Sequence, residues 1–253
     1  MAQKNRLESI RSIVKAEKRV VVSDLSKQFE VTEETIRRDL EKLEGEGLVT
    51  RTYGGAVLNM GNTEVRISYM RRTQINVEEK RAIARIVAEQ IPKRGVTIGA
   101  DSSSTVMEAV HLLSNREDLL LLTYSANILR ELEDSKIKIL STGGVLNKKS
   151  YSFQGAIARN TIRDYHMDIA LVSCKGLQLG TGAFDSDEDE AEIKRLLVGQ
   201  SQKVFLLVDH TKFGKLAFTK LFDLDQVDVV ITGQRADHEW VDWLSANHIT
   251  LLY

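Results

Sequence analysis

The first candidate binding residues in this sequence lie on a helix predicted over residues 33–44. Its apolar residues recur at helical spacing and form a buried stripe of Ile36, Leu40 and Leu43. At about 100° per residue, the opposite face and its flanks carry Glu34, Thr35, Arg37, Arg38 and Lys42. A helix fits the major groove of DNA, where guanidinium groups donate to phosphates or to guanine edges. The pattern indicates a DNA-reading helix, and the alternative is an ordinary amphipathic helix with solvated charges.

A second set of candidates follows predicted strands in the C-terminal part of the chain. The stretch Asp101-Ser102-Ser103-Ser104-Thr105 follows a strand predicted at 96–100 and opens a helix. Hydroxyl and N–H groups at a helix N-terminus form an anion site, although serines there can equally be plain N-caps. Gly143-Gly144 and Lys212 follow two other predicted strands, where a simple turn and a solvated lysine are the alternatives. Because ligands bind at the carboxyl ends of parallel strands, we predict one phosphate-binding site there.

Acidic residues and the single cysteine add further candidates. The stretch 187–190 opens a predicted helix, where negative charge favours the helix dipole, but Glu190 can instead accept hydrogen bonds from sugar hydroxyls. Lys175 is a candidate for a second anion contact. Cys174 is predicted to be a small buried side chain rather than a nucleophile, because the sequence places no histidine beside it. The five histidines lack metal-ligand spacing, so we expect no metal and no cofactor.

Short elements are predicted to position the first set. Helices are expected at 5–16, 24–29 and 33–44, and strands at 48–53 and 56–58. Ser23 and Thr32 are the predicted N-caps of the second and third helices, and Gly54-Gly55 turns the hairpin. Three helices and a hairpin are typical of a winged helix-turn-helix, assigned here to residues 1–58. The wing residues predicted to follow the DNA backbone or a minor groove are Arg51, Thr52 and Tyr53.

The rest of the chain has a different pattern. Residues 59–77 show no strong period and are predicted to be a linker, whereas residues 78–253 alternate apolar β-rich runs with helical patterns. Strands are expected at 96–100, 119–123, 137–141, 168–173, 204–208, 227–232 and 249–252. The predicted fold class is therefore α/β, with an N-terminal winged helix-turn-helix and a C-terminal, mostly parallel sheet covered by helices on both faces.

The bulk composition constrains location more than activity. The formal net charge of −1 argues weakly against DNA binding, but a larger acidic domain can mask a small DNA-reading module. The N-terminus lacks the apolar segment of a signal peptide, no run of about 18 apolar residues predicts a membrane helix, and one cysteine cannot form an intrachain disulfide. We therefore expect a cytoplasmic protein with no membrane partner.

Two motifs carry a resemblance to a known family. The run T-I-R-R-D-L at 35–40 and the run R-T-Y-G-G-A at 51–56 resemble the signature of the DeoR-type regulators of sugar operons, and the resemblance extends through the whole chain. The sensor domain of that family is similar to sugar-phosphate isomerases. Its motifs match this chain at Asp101, Thr105, Thr123, Ser125, Gly143, Gly144, Asp209, Lys212, Phe213 and Gly214. Ser103 stands here in place of a glycine, Tyr124 replaces an asparagine, and residues 173–176 replace a glycine-rich turn.

The resemblance implies a transcription regulator that binds operator DNA, represses a carbohydrate-utilisation operon and responds to a phosphorylated sugar or polyol. The implied effector-binding residues are Asp101, Ser102, Ser103, Ser104, Thr105, Tyr124, Gly143, Gly144, Lys175, Glu190 and Lys212. The alternative is a sugar-phosphate isomerase with a DNA-binding appendage. The acidic D-G-A-D-E loop of those enzymes has no match here, and the nearest acidic stretch is 183–187. We therefore expect no enzyme activity and no catalytic residue.

A co-regulator that uses the helical module for protein contacts is a third interpretation. The outward arginines at positions 37, 38 and 51 argue against it. Because one small winged module makes few base contacts, we expect a homo-oligomer, either a dimer or a tetramer, that reads paired half-sites.

Overall fold

The computed structural model describes residues 3–45, 48–52, 54–58, 69–148 and 150–253. The chain divides into two compact units, Met1–Ile67 and Ser68–Tyr253. The division falls inside the predicted linker of residues 59–77, of which 59–68 lie outside the described residues. Among the described residues, no helix combines the length and the apolar character that crossing a bilayer requires.

The N-terminal unit contains three helices and a three-stranded antiparallel sheet. The helices are α1 (Gln3–Glu17), α2 (Val22–Phe29) and α3 (Glu33–Gly45). The strands are β1 (Arg19–Val21), β2 (Val49–Thr52) and β3 (Gly55–Leu58), in the order β1-β3-β2. The apolar stripe of α3 is fully buried and packs in one core with Ile10 and Val14 of α1. The predicted layout of three helices followed by a wing is therefore confirmed.

Two details of this unit differ from the prediction. β1 was not expected, because three residues with one inward side chain, Val20, show no usable alternation. A Cβ on Gly55 would lie 1.9 Å from the carbonyl oxygen of Val20, so the pairing of β1 with β3 requires glycine there. The prediction of Ser23 as the N-cap of α2 is wrong. β1 runs directly into α2, Val21 occupies the cap position, and the Ser23 hydroxyl donates to Asp24 at 3.4 Å.

The C-terminal unit contains the remaining elements. Its strands are β4 (Thr97–Ala100), β5 (Leu120–Thr123), β6 (Lys138–Ser141), β7 (Val145–Asn147), β8 (Ser152–Gln154), β9 (Met167–Val172), β10 (Gly176–Gln178), β11 (Gly182–Asp185), β12 (Ser201–Leu207), β13 (Thr219–Phe222), β14 (Val229–Ile231) and β15 (Thr250–Leu252). Its helices are α4 (Tyr69–Arg72), α5 (Val77–Gln90), α6 (Ser104–Leu112), α7 (Ala126–Glu131), α8 (Ala156–Arg163), α9 (Glu188–Gly199) and α10 (His238–Ala246). Two short 3-10 helices cover His210–Lys212 and Leu224–Gln226.

Seven of these strands form one parallel sheet in the order β15-β14-β12-β9-β4-β5-β6. Alternate residues of β9 enter different cores: Ile169 and Leu171 join a cluster with α5, α6 and α7, whereas Ala170 and Val172 join one with α9 and α10. Helix α8 packs against α9 in a third cluster. Helices therefore cover both faces of the sheet, and the predicted α/β fold class is confirmed.

Several short elements were not predicted. β7 and β8 form a hairpin, and β10, β11 and β13 form a small antiparallel sheet. These strands have three or four residues, too few to show a period. In the predicted linker, Tyr69 begins α4 and its side chain is buried in the core shared by α5, α6 and α7. This part of residues 59–77 is a packed element rather than a free connection.

Candidate DNA-binding surface and effector site

Helix α3 presents charged side chains opposite its buried stripe. The side chain of Arg38 is 73% exposed and its Nε lies 3.4 Å from the Glu34 carboxylate, while Arg37 lies 2.7 Å from the Glu33 carboxylate. Such exposed pairs one helical turn apart contribute only about 0.3–0.5 kcal/mol, so both arginines are readily released to a stronger anionic partner. Lys42 is exposed on the same helix.

The other predicted DNA contacts lie on three different elements. Thr32 caps α3 as predicted, because its Oγ1 accepts a hydrogen bond from the Thr35 N–H at 3.3 Å. Ser23 is half-buried on α2. Arg51 and Thr52 belong to β2, and Tyr53 lies outside the described residues. Their role in DNA binding is a proposal.

Asp39 is the inward-facing charged residue of the T-I-R-R-D-L run at 35–40. Its side chain is 1% exposed, and its Oδ2 accepts from the Nε of Arg6 at 2.6 Å. The pair joins α1 to α3, so the motif combines outward arginines with an inward carboxylate that fixes the helix. Breaking a buried ion pair by removing one partner costs about 3–5 kcal/mol.

In the C-terminal unit, the strand order changes direction at β4. From β4 the chain continues to β5 and β6 on one side, and it returns to β9, β12, β14 and β15 on the other. The segments after β4 and β9 are held together, since the Asp101 carboxylate accepts from the backbone N–H of Ser103 and of Ser173, each at 2.8 Å. Ligands of open parallel sheets bind at such a reversal.

Three carboxylates and one lysine meet at this edge of the sheet, and all four side chains are buried. We call this group the carboxylate cluster: Asp101, Asp185 and Glu190, with Lys194 among them. The ammonium of Lys194 lies 2.7 Å from Asp185 and 3.2 Å from Asp101, and it donates to the Ser173 carbonyl at 2.8 Å. Burial opposes its charge, yet the three carboxylates together raise the pKa of Lys194 above its ordinary value. Burial also acts against the charge of Asp185, but Lys194 and Lys175 hold the pKa of that carboxyl below its ordinary value.

Glu190 connects three elements at the start of α9. Its carboxylate accepts from the Ser102 hydroxyl at 2.7 Å, from the Ser152 hydroxyl, and from the Gln154 amide at 3.3 Å. Asp187 caps the helix by accepting from the Glu190 N–H at 3.3 Å. The β8 residues therefore close over the segment that follows β4, and Glu190 is positioned as a hydrogen-bond acceptor.

The serine-rich start of α6 is already engaged within the protein. Ser103 is its N-cap, since the hydroxyl accepts from the Val106 N–H at 3.2 Å, while Ser102 donates to Glu190. Ser104 and Thr105 are buried. Ser103 has a φ of −77°, so serine stands in place of the family glycine without backbone strain.

Tyr124 and the glycine pair shape the neighbouring wall. Tyr124 is fully buried in the cluster around α8, and burial together with the charges of Glu190 and Asp101 raises the pKa of its hydroxyl well above the ordinary value. Gly144 has a φ of +116°, and a Cβ there would lie 2.6 Å from the Gln154 carbonyl oxygen. Gly143 has a φ of +62°. Gly144 lets the chain pass close to β8, and Gly143 supplies a second left-handed turn position.

Four cations, Arg72, Lys80, Lys175 and Lys212, act on one another electrostatically and are called the cation cluster; Lys175 also acts on Asp185 of the carboxylate cluster. Burial and the positive charges of Arg72, Lys212 and Lys194 lower the pKa of Lys175 to about 7, although Asp185 opposes the shift. Burial, Lys212 and Arg72 likewise lower the pKa of Lys80 to about 8, against the opposing charge of Asp209. Lysines with lowered pKa values close to one another are typical of sites that bind an anion.

A close backbone approach brings Lys175 near Lys212. A Cβ on Gly176 would lie 2.4 Å from the Lys215 carbonyl oxygen, so only glycine allows this contact. Leu177 and Phe213 form a parallel bridge in the same place. The loops that follow β9 and β12 are therefore joined, and two predicted effector residues far apart in sequence come together.

Cys174 has the environment that the sequence predicted. Its thiol is buried, and burial raises its pKa to about 12 against the opposing charges of nearby lysines. A protonated, enclosed thiol is a poor nucleophile.

Among the described residues, one grouping has donor types suited to a metal ion: Glu79, Asp209 and His210, whose ligand atoms lie within 4.8 Å of one another. The donors are already engaged. Glu79 accepts from the His210 N–H at 2.7 Å and pairs with its Nδ1 at 2.6 Å, and Asp209 accepts from the Asn76 amide at 3.1 Å. The charges of Lys80 and Lys212 act on Asp209, which disfavours a divalent cation there.

Four residues of the two clusters were missing from the predicted site: Arg72, Lys80, Asp185 and Lys194. Arg72 lies in the predicted linker, and the other three occupy predicted helices or an unpredicted strand. The sequence did contain one indication that Lys80 and Lys194 have buried partners. Lys80 and Lys194 fall on the inward faces of α5 and α9, beside Ile83 and Ile193, where an unpaired charge would not be tolerated.

Comparisons with known proteins agree with this organisation. Residues 75–234 match the DeoR C terminal sensor domain, and residues 6–61 match the DeoR-like helix-turn-helix domain. The chain is 38% identical over 233 residues to the uncharacterized HTH-type transcriptional regulator YulB of Bacillus subtilis (strain 168), covering 92% of this chain and 89% of that protein.

Two further relatives align over nearly their whole length. The chain is 32% identical to the glycerol-3-phosphate regulon repressor of Escherichia coli (strain K12), covering 99% of each protein. It is also 32% identical to the HTH-type transcriptional repressor GlcR of Bacillus subtilis (strain 168), covering 100% of this chain and 96% of that protein. A ribose 5-phosphate isomerase from Methanocaldococcus jannaschii aligns with a TM-score of 0.40 and 16% identity, covering 55% of each chain. The chain belongs to the DeoR family of DNA-binding transcriptional regulators.

Proposed function

We propose that this regulator represses a carbohydrate-utilisation operon and that its C-terminal unit binds a phosphorylated sugar or polyol. The observation that carries the proposal is the adjacency of two clusters of opposite character at one edge of the sheet, the cation cluster and the carboxylate cluster. A phosphate monoester needs cationic donors, and hydroxyl groups need acceptors. The pair of clusters therefore suits one ligand that has both. The glycerol-3-phosphate regulon repressor among the relatives supports this class of effector.

The phosphate is expected at the cation cluster rather than at the start of α6. The hydroxyls of Ser102 and Ser103 are already used within the protein, and the carboxylates of Asp101 and Glu190 flank that helix end. Two buried carboxylates would repel a phosphate dianion more strongly than one helix terminus attracts it. These carboxylates instead suit the hydroxyl groups of the same ligand.

On the DNA side, the proposal assigns base and phosphate contacts to the exposed face of α3, with the wing following the backbone. The support is the exposure of Arg37, Arg38 and Lys42 above a fully buried stripe. We also propose a homo-oligomer, because one module of this size makes too few contacts for high specificity. Static light scattering tests this point, and a monomer that still binds an operator tightly would contradict it.

The effector assignment is tested by thermal unfolding with a panel of sugar and polyol phosphates, each beside its unphosphorylated form. A ligand present at about 100 times its dissociation constant stabilises the folded state by about 2.7 kcal/mol, which raises the melting temperature measurably. Lys212→Ala is expected to abolish the response. The control is Lys203→Ala, which removes an exposed lysine at the beginning of β12, the strand whose other end precedes Lys212.

The expected pattern is stabilisation by one or more phosphorylated compounds, and none by their unphosphorylated forms. The same compound is expected to change operator affinity in a gel-shift assay, by a coupling of about 1–3 kcal/mol. If no phosphorylated compound raises the melting temperature, or if Lys212→Ala responds like Lys203→Ala, the assignment of the anion site fails.

A further inference from the structure

Helix α4 is the first described element after the N-terminal, DNA-binding unit; one contact fixes it to the rest of the C-terminal, sensor unit, and a second lies within the helix itself. Tyr69 is 3% exposed and packs in the core of α5, α6 and α7. The guanidinium of Arg72 lies 5.8 Å from the centre of the Tyr69 ring, within cation–π range. The segment that leads from the DNA-binding unit therefore enters the sensor unit at a short, anchored helix.

A third contact ties α4 to the cation cluster. The ammonium of Lys80 donates a hydrogen bond to the backbone carbonyl of Arg72. The last carbonyls of a helix lack partners within it, and α4 is only four residues long, so side-chain donors matter here. The same carbonyl accepts from the Ile75 N–H at 3.3 Å. Lys80 thus connects the end of α4 to the place where an effector anion is expected.

Lys80 is a weakly compensated cation in this position. Its side chain is buried, and its compensation comes from a neutral carbonyl and from the charges of Asp209 and Glu108, against the repulsion of Lys212 and Arg72. Hydrogen bonds between charged partners are roughly twice as strong as those to neutral acceptors. An anion that enters the cation cluster therefore competes with the Arg72 carbonyl for Lys80.

Space for a movement exists on another side of α4. Tyr69 and Thr73 line a cavity of about 540 Å³, together with residues of α5, α6 and α7. Packed interiors usually resist displacement because they hold few voids. The end of α4 at Thr73 therefore borders open space, whereas Tyr69 at its start remains packed in the core.

We propose that α4 transmits the occupancy of the anion site to the DNA-binding unit, with Lys80 exchanging the Arg72 carbonyl for the anion of the effector. This inference rests on the proposed function, because it requires an anion at the cation cluster. When Lys80 turns to the anion, the end of α4 loses its side-chain donor, and the segment that carries the DNA-binding unit is held less firmly.

The test is hydrogen–deuterium exchange of the full-length protein with and without inorganic phosphate, read on peptides that contain the amides of Thr73 and Ile75. These amides donate to the carbonyls of Tyr69 and Arg72, so their exchange rates report whether the hydrogen bonds at the end of α4 are intact. Phosphate is expected to accelerate their exchange roughly tenfold, the change typical of losing one hydrogen bond to a charged donor. Sulfate provides a second anion probe.

Lys80→Met supplies the matched variant, since it replaces a buried ammonium by an apolar side chain of similar length. Its α4 amides are expected to exchange fast in the absence of phosphate and not to respond further. Lys80→Gln retains a hydrogen-bond donor and serves if the methionine variant does not fold. Without phosphate, its α4 amides are expected to exchange faster than those of the wild type, and phosphate is expected to accelerate them less. Lys93→Met, which removes an exposed lysine just after the end of α5, should behave like the wild type.

Calorimetric titration with phosphate separates the two hypotheses. If phosphate binds and the α4 amides of the wild type do not respond, the transmission role is overturned while the anion site stands. If phosphate and sulfate both fail to bind, the proposed anion site itself is overturned. If Lys80→Met or Lys80→Gln retains a wild-type response, Lys80 is not the exchanging group and the inference is refuted.

Discussion

The buried ammonium of Lys194 gives the sharpest test of the site's electrostatics. Lys194→Met keeps the length of the side chain but leaves Asp185 and Asp101 without their cation, at contacts that measure 2.7 and 3.2 Å. Removing one partner of a buried ion pair costs about 3–5 kcal/mol. Because two carboxylates with side chains at most 4% exposed lose the same partner, we expect the upper part of that range.

The pH dependence of this variant has a defined sign. In the wild type, the pKa of Asp185 is held below its unfolded value, so its contribution to stability is present above that value and is lost as pH falls through the folded pKa. Without Lys194, burial dominates and raises the folded pKa above the unfolded one. The variant then takes up protons on folding, and the stability gap between it and the wild type narrows from pH 8 to pH 5.

Urea unfolding followed by tryptophan fluorescence measures both effects. The two tryptophans, Trp240 and Trp243, lie in α10 of the sensor unit, so the signal reports that unit. Lys220→Met is the control, since it removes an exposed lysine that lies 2.6 Å from Asp223. A cost for Lys194→Met below about 1 kcal/mol, the level expected for the exposed pair, would refute the account of this cluster, as would a gap that does not change with pH.

Two further predictions concern α3 and the glycine pair. Arg38→Ala is expected to weaken binding to a selected operator fragment by about 1–3 kcal/mol at matched salt. The control is Arg81→Ala, which removes an exposed arginine of the sensor unit. If the two variants bind the fragment with equal affinity, α3 does not dock on DNA as proposed. Gly144→Ala is expected to lower the free energy of unfolding by about 1–3 kcal/mol, because of its φ of +116° and the approach to the Gln154 carbonyl, and an unchanged urea midpoint would contradict that reason.

The sequence was most informative where a local pattern matches a local structure. The periodic stripe of α3 predicted which side chains are buried, and the structure confirms complete burial of Ile36, Leu40 and Leu43. The alternation of strands and helices predicted the parallel sheet, since each of the seven predicted strands overlaps a strand of that sheet. Strand boundaries differed by at most three residues, because hydrogen bonding, not hydropathy, decides where a strand ends.

The two clusters could not be predicted in full because their members meet only in three dimensions. Glu190 is 88 positions from Ser102 and 38 from Ser152, and no local pattern encodes such contacts. The serine stretch after β4 illustrates the limit. Its residue types suit an anion site, but its own Asp101 flanks it and the Glu190 carboxylate that engages Ser102 comes from α9. The location of the effector site therefore stays a prediction, since local residue types do not give the charge that other elements bring to the serine stretch.

The balance of charge between the clusters explains how such a site can exist before a ligand arrives. At this edge of the sheet the carboxylates face the cations of the two clusters: Asp101, Asp185, Glu190, Asp209 and Glu79, with Arg72, Lys80, Lys175, Lys194 and Lys212. A cation cluster alone would be strongly destabilised by desolvation, and lowered pKa values show that part of this cost remains on Lys80 and Lys175. The charge of Lys194 is balanced by its carboxylates and stabilises the fold. Lys80 and Lys175, whose pKa values are lowered, are less fully balanced by negative charge. The phosphorylated ligand that we propose would supply negative charge there, so the burial that costs stability at Lys80 and Lys175 would favour the binding of an anion.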